Sequence, residues 1–118
     1  MNMRVLVCGS RQWTDYRVIE RRLKALRPGT VIIEGEARGA DKAARRIAEH
    51  LGFEVKPFPA DWKKYGNAAG IIRNHQMLDE GKPDLVLAFP MPDSVGTQDM
   101  IRRAKKAEIL VEEVIGCV

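Results

Sequence analysis

The sequence predicts an α/β fold: a doubly wound, Rossmann-like domain with a mostly parallel sheet of about five strands and helices on both faces. Two observations predict it. Short apolar runs are near-continuous rather than alternating, as strands buried on both faces must be. Between them lie segments whose apolar residues recur at helical spacing. The 118 residues suit one domain over 1–118 and are too few for two.

Met3-Arg4-Val5-Leu6-Val7-Cys8 is the first strand, closed by Gly9-Ser10-Arg11. Asp15 is placed to cap a helix with Val18, Ile19, Leu23 and Leu26 on one face, and Pro28-Gly29 ends it. Thr30 to Ile33 is the second strand, closed by Glu34-Gly35. The spacing of Ala40, Ala43, Ala44, Ile47, Ala48 and Leu51 predicts a helix over 41–51, with Gly52 at its C-terminal end. Phe53 to Val55 is a short third strand, and a polar loop follows through Asp61, Trp62 and Gly66. Helices are predicted over 68–80 and 97–107, with a fourth strand over 84–89 and a fifth over 109–111; a short tail starts at Glu112.

A hydrophobic content of 45% is enough for a core, and a net charge of +4 suits a phosphorylated ligand or acidic partner. Cys8 and Cys117 form no C-x-x-C pair, and His50 and His75 do not cluster with them, so no metal site is expected. The N-terminus has no signal-peptide layout and no run reaches membrane-spanning length; a reduced, cytoplasmic setting is expected, with no membrane partner.

Such folds bind ligands outside the carboxyl ends of the strands. The unusual residues fall there: Gly9-Ser10-Arg11-Gln12-Trp13 after the first strand, Gly35 to Asp41 after the second, Ala60-Asp61-Trp62 after the third, Pro90 to Thr97 after the fourth. Ser10 and Arg11 can donate to phosphate oxygens. Gly39-Ala40-Asp41 and Gly96-Thr97 each open a helix, whose free N–H groups favour an anion. Capping is the alternative role for Asp41 and Thr97. Trp13 and Trp62 could stack on a base or cover the sheet edge. His75 reads as a packing residue.

Together, Gly9-Ser10-Arg11 with Trp13, Gly39-Ala40-Asp41, Ala60-Asp61-Trp62, Ala69-Gly70 followed by Arg73-Asn74, Ala88-Phe89-Pro90, and Gly96-Thr97 with Met100 resemble the YspA-like branch of the SLOG superfamily. These are Rossmann-type proteins related to the LOG and DprA/SMF families, and the match runs from about Met3 to Val111. The resemblance implies one nucleotide-binding domain in a bacterial or phage protein, with a nucleotide-derived ligand such as an ADP-ribose-like molecule. It also brings Arg73 and Asn74, otherwise a helix-surface pair, into the candidate site.

In the LOG branch, Pro-Gly-Gly-x-Gly-Thr-x-x-Glu holds a phosphate and its Glu takes part in cleavage. Here Pro90 and Gly96-Thr97 match, but Met91-Pro92-Asp93-Ser94-Val95 replaces Gly-Gly-x, and Met100 stands where the Glu would be. A thioether cannot act as acid or base. Asp93 would repel a phosphate unless it points away. Asp99 is about 100° around the helix from Met100 and should point elsewhere.

Three functions follow as expectations. The first is binding or sensing of the nucleotide-derived ligand. The second is hydrolysis of an N-glycosidic or phosphate bond, with Asp41 and Asp61 as the catalytic candidates. The third is single-stranded DNA binding through Arg45, Arg46, Arg102, Arg103, Lys105 and Lys106, a set that reads first as solvated helix faces. No cofactor is implied, and a homodimer, common among LOG relatives, is the oligomeric expectation.

Overall fold

The structure is a computed structural model and describes residues 2–92 and 94–115. The expectations for Asp93 and Cys117 therefore lie outside the described residues. Five strands, β1 (Arg4–Gly9), β2 (Val31–Glu34), β3 (Glu54–Pro57), β4 (Leu85–Phe89) and β5 (Leu110–Glu113), form one sheet. Its order is β3-β2-β1-β4-β5 and every pairing is parallel. The helices are α1 (Tyr16–Lys24), α2 (Ala40–His50), α3 (Trp62–Tyr65), α4 (Ala69–Gly81) and α5 (Val95–Lys106). This is the predicted doubly wound, Rossmann-like α/β fold.

The strands read as unbroken apolar runs because both faces are covered. On one face Val5, Val7, Ile32, Leu87 and Phe89 pack with α1 and the alanines of α2. On the other, Leu6, Cys8, Ile33, Val86 and Ala88 pack with Met77 of α4 and Met100 and Ile101 of α5. The alanines at 40, 44 and 48 are fully buried, and their small size lets α2 lie close to the sheet.

Helix ends differ from expectation where local hydrogen bonding outweighs the break signals. α1 stops at Lys24, ahead of Pro28, because Ala25, Leu26 and Thr30 turn back onto Arg22, Leu23 and Arg27 carbonyls. Asp15 takes the N-cap position but makes no side-chain capping bond. α2 ends in Leu51 and Gly52, whose φ of +86° needs a glycine, with Phe53 N–H closing onto Ala48 O. The loop after β3 contains α3 and a 3-10 turn at Gly66–Ala68. α5 begins at Val95, two residues early, with Ser94 as its N-cap residue. β5 extends to Glu113, so Glu112 belongs to the sheet and pairs with Arg22 of α1. His75 is exposed rather than packed.

Candidate functional site

The chain runs outward from β1 to β2 and β3, then returns past β1 to β4 and β5. The connections after β1 and β4 thus leave in opposite directions and open a crevice between them. A cleft of about 550 Å³ occupies that crevice. The β1–α1 loop forms one wall with Gly9, Ser10 and Arg11, the start of α5 another with Ser94, Gly96 and Thr97, and α3–α4 the third with Trp62, Arg73 and Asn74.

The first wall is set by close packing. A Cβ on Gly9 would stand 2.5 Å from the Ala40 Cβ and 2.9 Å from Phe89 O. Gly9 is therefore required by its protein neighbours as well as by the cleft. Ser10 N–H donates to Phe89 O at 3.0 Å, and Ser10 O accepts from Ala40 N–H at 3.2 Å. Ser10 Oγ accepts from Gln12 N–H at 2.9 Å. Arg11 lies over the Trp62 ring, 5.4 Å from its centroid. That occupies one face of the tryptophan and leaves the guanidinium at the cleft edge.

The β2–α2 connection is locked from inside. Asp41 is buried in the first turn of α2 and does not cap it; Gly39 holds the N-cap position. The Asp41 carboxylate accepts from Gly35 N–H at 3.1 Å, and Arg73 Nη1 donates to Gly35 O at 2.5 Å. Burial pushes the Asp41 carboxyl up to about 6, against the pull of nearby Arg73. Burial also lowers the Arg73 pKa. Both side chains line the cleft.

Asn74 ties α4 to α5. Its Nδ2 donates to Gly96 O at 3.1 Å and to Asp99 Oδ2 at 3.0 Å. Asp99 Oδ2 also accepts from Arg103 Nε at 2.8 Å, so this carboxylate is held away from the cleft. Met100 is fully buried under β1 and β4, where a carboxylate would be desolvated without a partner. Met91 N–H donates to Ser94 Oγ, and Ser94 N–H donates to Met91 O, both at 3.0 Å. These two bonds tie Met91 to Ser94 at the start of α5. Thr97 is 5% exposed, lines the cleft, and its hydroxyl has no hydrogen-bond partner among the described residues.

Nine of the sequence candidates meet at the cleft: Gly9, Ser10, Arg11, Asp41, Trp62, Arg73, Asn74, Gly96 and Thr97. Six do not line it. Gly35, Gly39 and Ala40 lie behind the wall as its scaffold. Asp61 is exposed and caps α3 by accepting from Lys64 N–H, outside the cleft lining. Trp13 is buried edge-on against Phe89, with Nε1 donating to Asp15 O. Trp13 and Pro90 border a separate, more apolar cavity of about 680 Å³ with Met91, Pro92 and Ile115. The smaller cleft is the candidate site, because it collects the charged groups and the α5 terminus.

Sequence reasoning missed Glu34. It is fully buried at the end of β2, Oε2 accepts from Glu36 N–H at 2.5 Å, and Oε1 has no partner. Burial raises its pKa strongly, and the Glu36 carboxylate beside it adds to the rise. A charged residue ending an apolar strand was the only sign of it in the sequence.

A family model described as YspA, cpYpsA-related SLOG matches residues 3–65. The Gene 61 protein of Mycobacterium phage D29 is 42% identical over 117 residues, covering 92% of this chain and 93% of that protein. In three dimensions the chain is similar to DNA processing protein A (DprA) from Streptococcus pneumoniae, with a TM-score of 0.76 at 18% identity. That likeness covers 99% of this chain and 52% of the other, so this chain spans about half of that protein's length. It is a likeness of fold. The family model and the phage protein make the assignment: the chain belongs to the YspA, cpYpsA-related SLOG family.

Proposed function

We propose that the chain binds a nucleotide-derived ligand in the 550 Å³ cleft, with an anionic phosphate at the start of α5. The observation that carries this reading is Thr97, whose side chain lines the cleft at the start of α5, where no acidic residue lies in the first turn. Ser10 and Arg11 face the same space and can take further phosphate oxygens. Family membership agrees with a nucleotide-related role. Thermal shift with AMP, ADP, NAD and ADP-ribose tests the proposal. A ligand at 100 times its Kd adds about 2.7 kcal/mol, several degrees for a chain of this size. The shift should vanish in Thr97→Ala and shrink in Arg11→Ala; a shift equal in all three proteins sinks the reading.

One observation favours hydrolysis as a second reading. Asp41 is a buried carboxyl at the cleft whose pKa, about 6, is near that needed for acid–base work. Turnover of a bound nucleotide, lost in Asp41→Asn with binding retained, would establish it. The same reading includes a cytoplasmic domain; no helix among the described residues is long and apolar enough to cross a membrane. It includes a homodimer, supported by the exposed Trp62, Tyr65, Ile71 and Ile72 of α3 and α4 and testable by light scattering.

A further inference from the structure

Most of the cations that the sequence marks as candidates for nucleic acid are neutralised at home. Arg45 pairs with Glu36 and Glu49, Arg102 and Arg103 with Asp99, and Lys105 with Glu113. Arg46 is not among these pairs, and two further cations stand beside it. Arg38, Lys42 and Arg46 are exposed and form no ion pair among the described residues. They stand four residues apart around a 260 Å³ cavity between α1 and α2. Tyr16, 48% exposed, and Ile47 complete its wall, and no acidic side chain lines it. Lys42 is near enough to Glu36 to help lower its pKa, yet the Glu36 salt bridge goes to Arg45.

This cavity is separate from the cleft and adjoins it. Gly39 borders the cavity, and a Cβ there would stand 2.5 Å from Ser10 O and 2.6 Å from Arg11 O. Arg38 lines the cavity while Ala37, the residue before it, lines the cleft.

We propose that the α1–α2 cavity is a second anion site, which takes the phosphodiester backbone of a single-stranded nucleic acid with one base on the Tyr16 ring. The chemistry selects this partner in two steps. Lys42 and Arg46 stand one turn apart on α2 and Arg38 precedes the helix, so the cations border the cavity at three separate points, which matches a chain of anions better than one phosphate. An exposed aromatic face beside them is of use to an unpaired base, whereas a duplex hides its base faces. An acidic peptide would satisfy the cations but leave the ring unused.

Fluorescence polarisation of a labelled short oligothymidylate, titrated with the full chain over a range of salt, tests the proposal. Three neutralised phosphates give a slope of log Kobs against log salt of about −2. Lys42→Glu with Arg46→Glu should reduce that slope by one or more and weaken binding at least about tenfold. Tyr16→Ser should weaken binding about tenfold with the slope kept. Thr97→Ala should leave oligonucleotide binding unchanged, which separates this site from the cleft. Circular dichroism melts check that each variant is folded, and Arg38→Ser serves if the double variant is not. Wild-type affinity in the folded charge variant overturns the proposal. So does equal competition by polyglutamate, or duplex binding as tight as single-strand binding.

Discussion

Two helices start at the carboxyl end of the sheet with a glycine at or near the first turn, and their surroundings differ. At α2, two donors ahead of the first helical bond are taken, Ala40 N–H by Ser10 O and Lys42 N–H by Ala37 O, and Asp41 sits in the first turn. At α5, the first turn holds no acid, and the first bond back along the chain among the described residues is Gln98 N–H to Ser94 O. Val95, Gly96 and Thr97 N–H have no partner among the described residues. Among the described residues, acceptors from a neighbouring loop meet the start of α2 and none meets the start of α5. Gly39-Ala40-Asp41 and Gly96-Thr97 look alike as motifs; what separates them is whether a neighbouring loop supplies the acceptors.

The largest break in this comparison is expected from Gly39→Ala. Gly39 has φ +80° and ψ −126°, a region that side chains avoid, and its Cβ would strike backbone oxygens. Strain and overpacking together should destabilise the fold by about 4 kcal/mol in urea titration. Next comes pH. Burial raises the Asp41 pKa from 3.8 to about 6, so the folded state keeps a proton that the unfolded chain releases. That contribution to stability is complete below pH 4 and is lost as pH rises through 6, about 3 kcal/mol in all. Asp41→Asn should flatten this fall, as melts at a series of pH values would show.

Smaller effects sharpen the contrast at α5. Asn74→Ala removes two hydrogen bonds that hold the α5 start and should destabilise by about 2 kcal/mol, with ligand shifts reduced alongside. Glu34→Gln should stabilise by roughly 1 kcal/mol or more at neutral pH, because the buried carboxyl otherwise keeps a proton that the unfolded chain releases. The smallest effect is Gly96→Ala. Nothing lies within 4 Å of a Cβ there, and the helix gains about 0.5–1 kcal/mol. The same substitution at two glycines thus has opposite signs.

The strands and long helices were legible because burial on both faces and helical periodicity leave direct marks in local sequence. The cleft was legible in part: Ser10, Arg11 and Thr97 lie on loops whose position follows from strand order alone. Arg73 was not. Its partner, Gly35 O, is 38 residues away, and nothing in the helix pattern distinguishes a buried arginine from a solvated one. Trp13 and Trp62 are equally prominent in sequence, yet only the fold shows that Phe89 covers the first and Arg11 the second. Asp61 looked catalytic because α3, only four residues long, has too little sequence to show its own need for a cap.

The central place of β1 has a consequence for how the chain is made. β1 is the first strand to leave the ribosome, and its β2 flank can pair within about thirty residues of synthesis. Its other flank waits for Leu85–Phe89. Through that interval an apolar strand edge is exposed, the kind of surface that joins other chains. Parallel pairing at such separation is slow. The domain is therefore at greatest risk of aggregation in the interval after β1 and β2 have emerged and before β4 joins them.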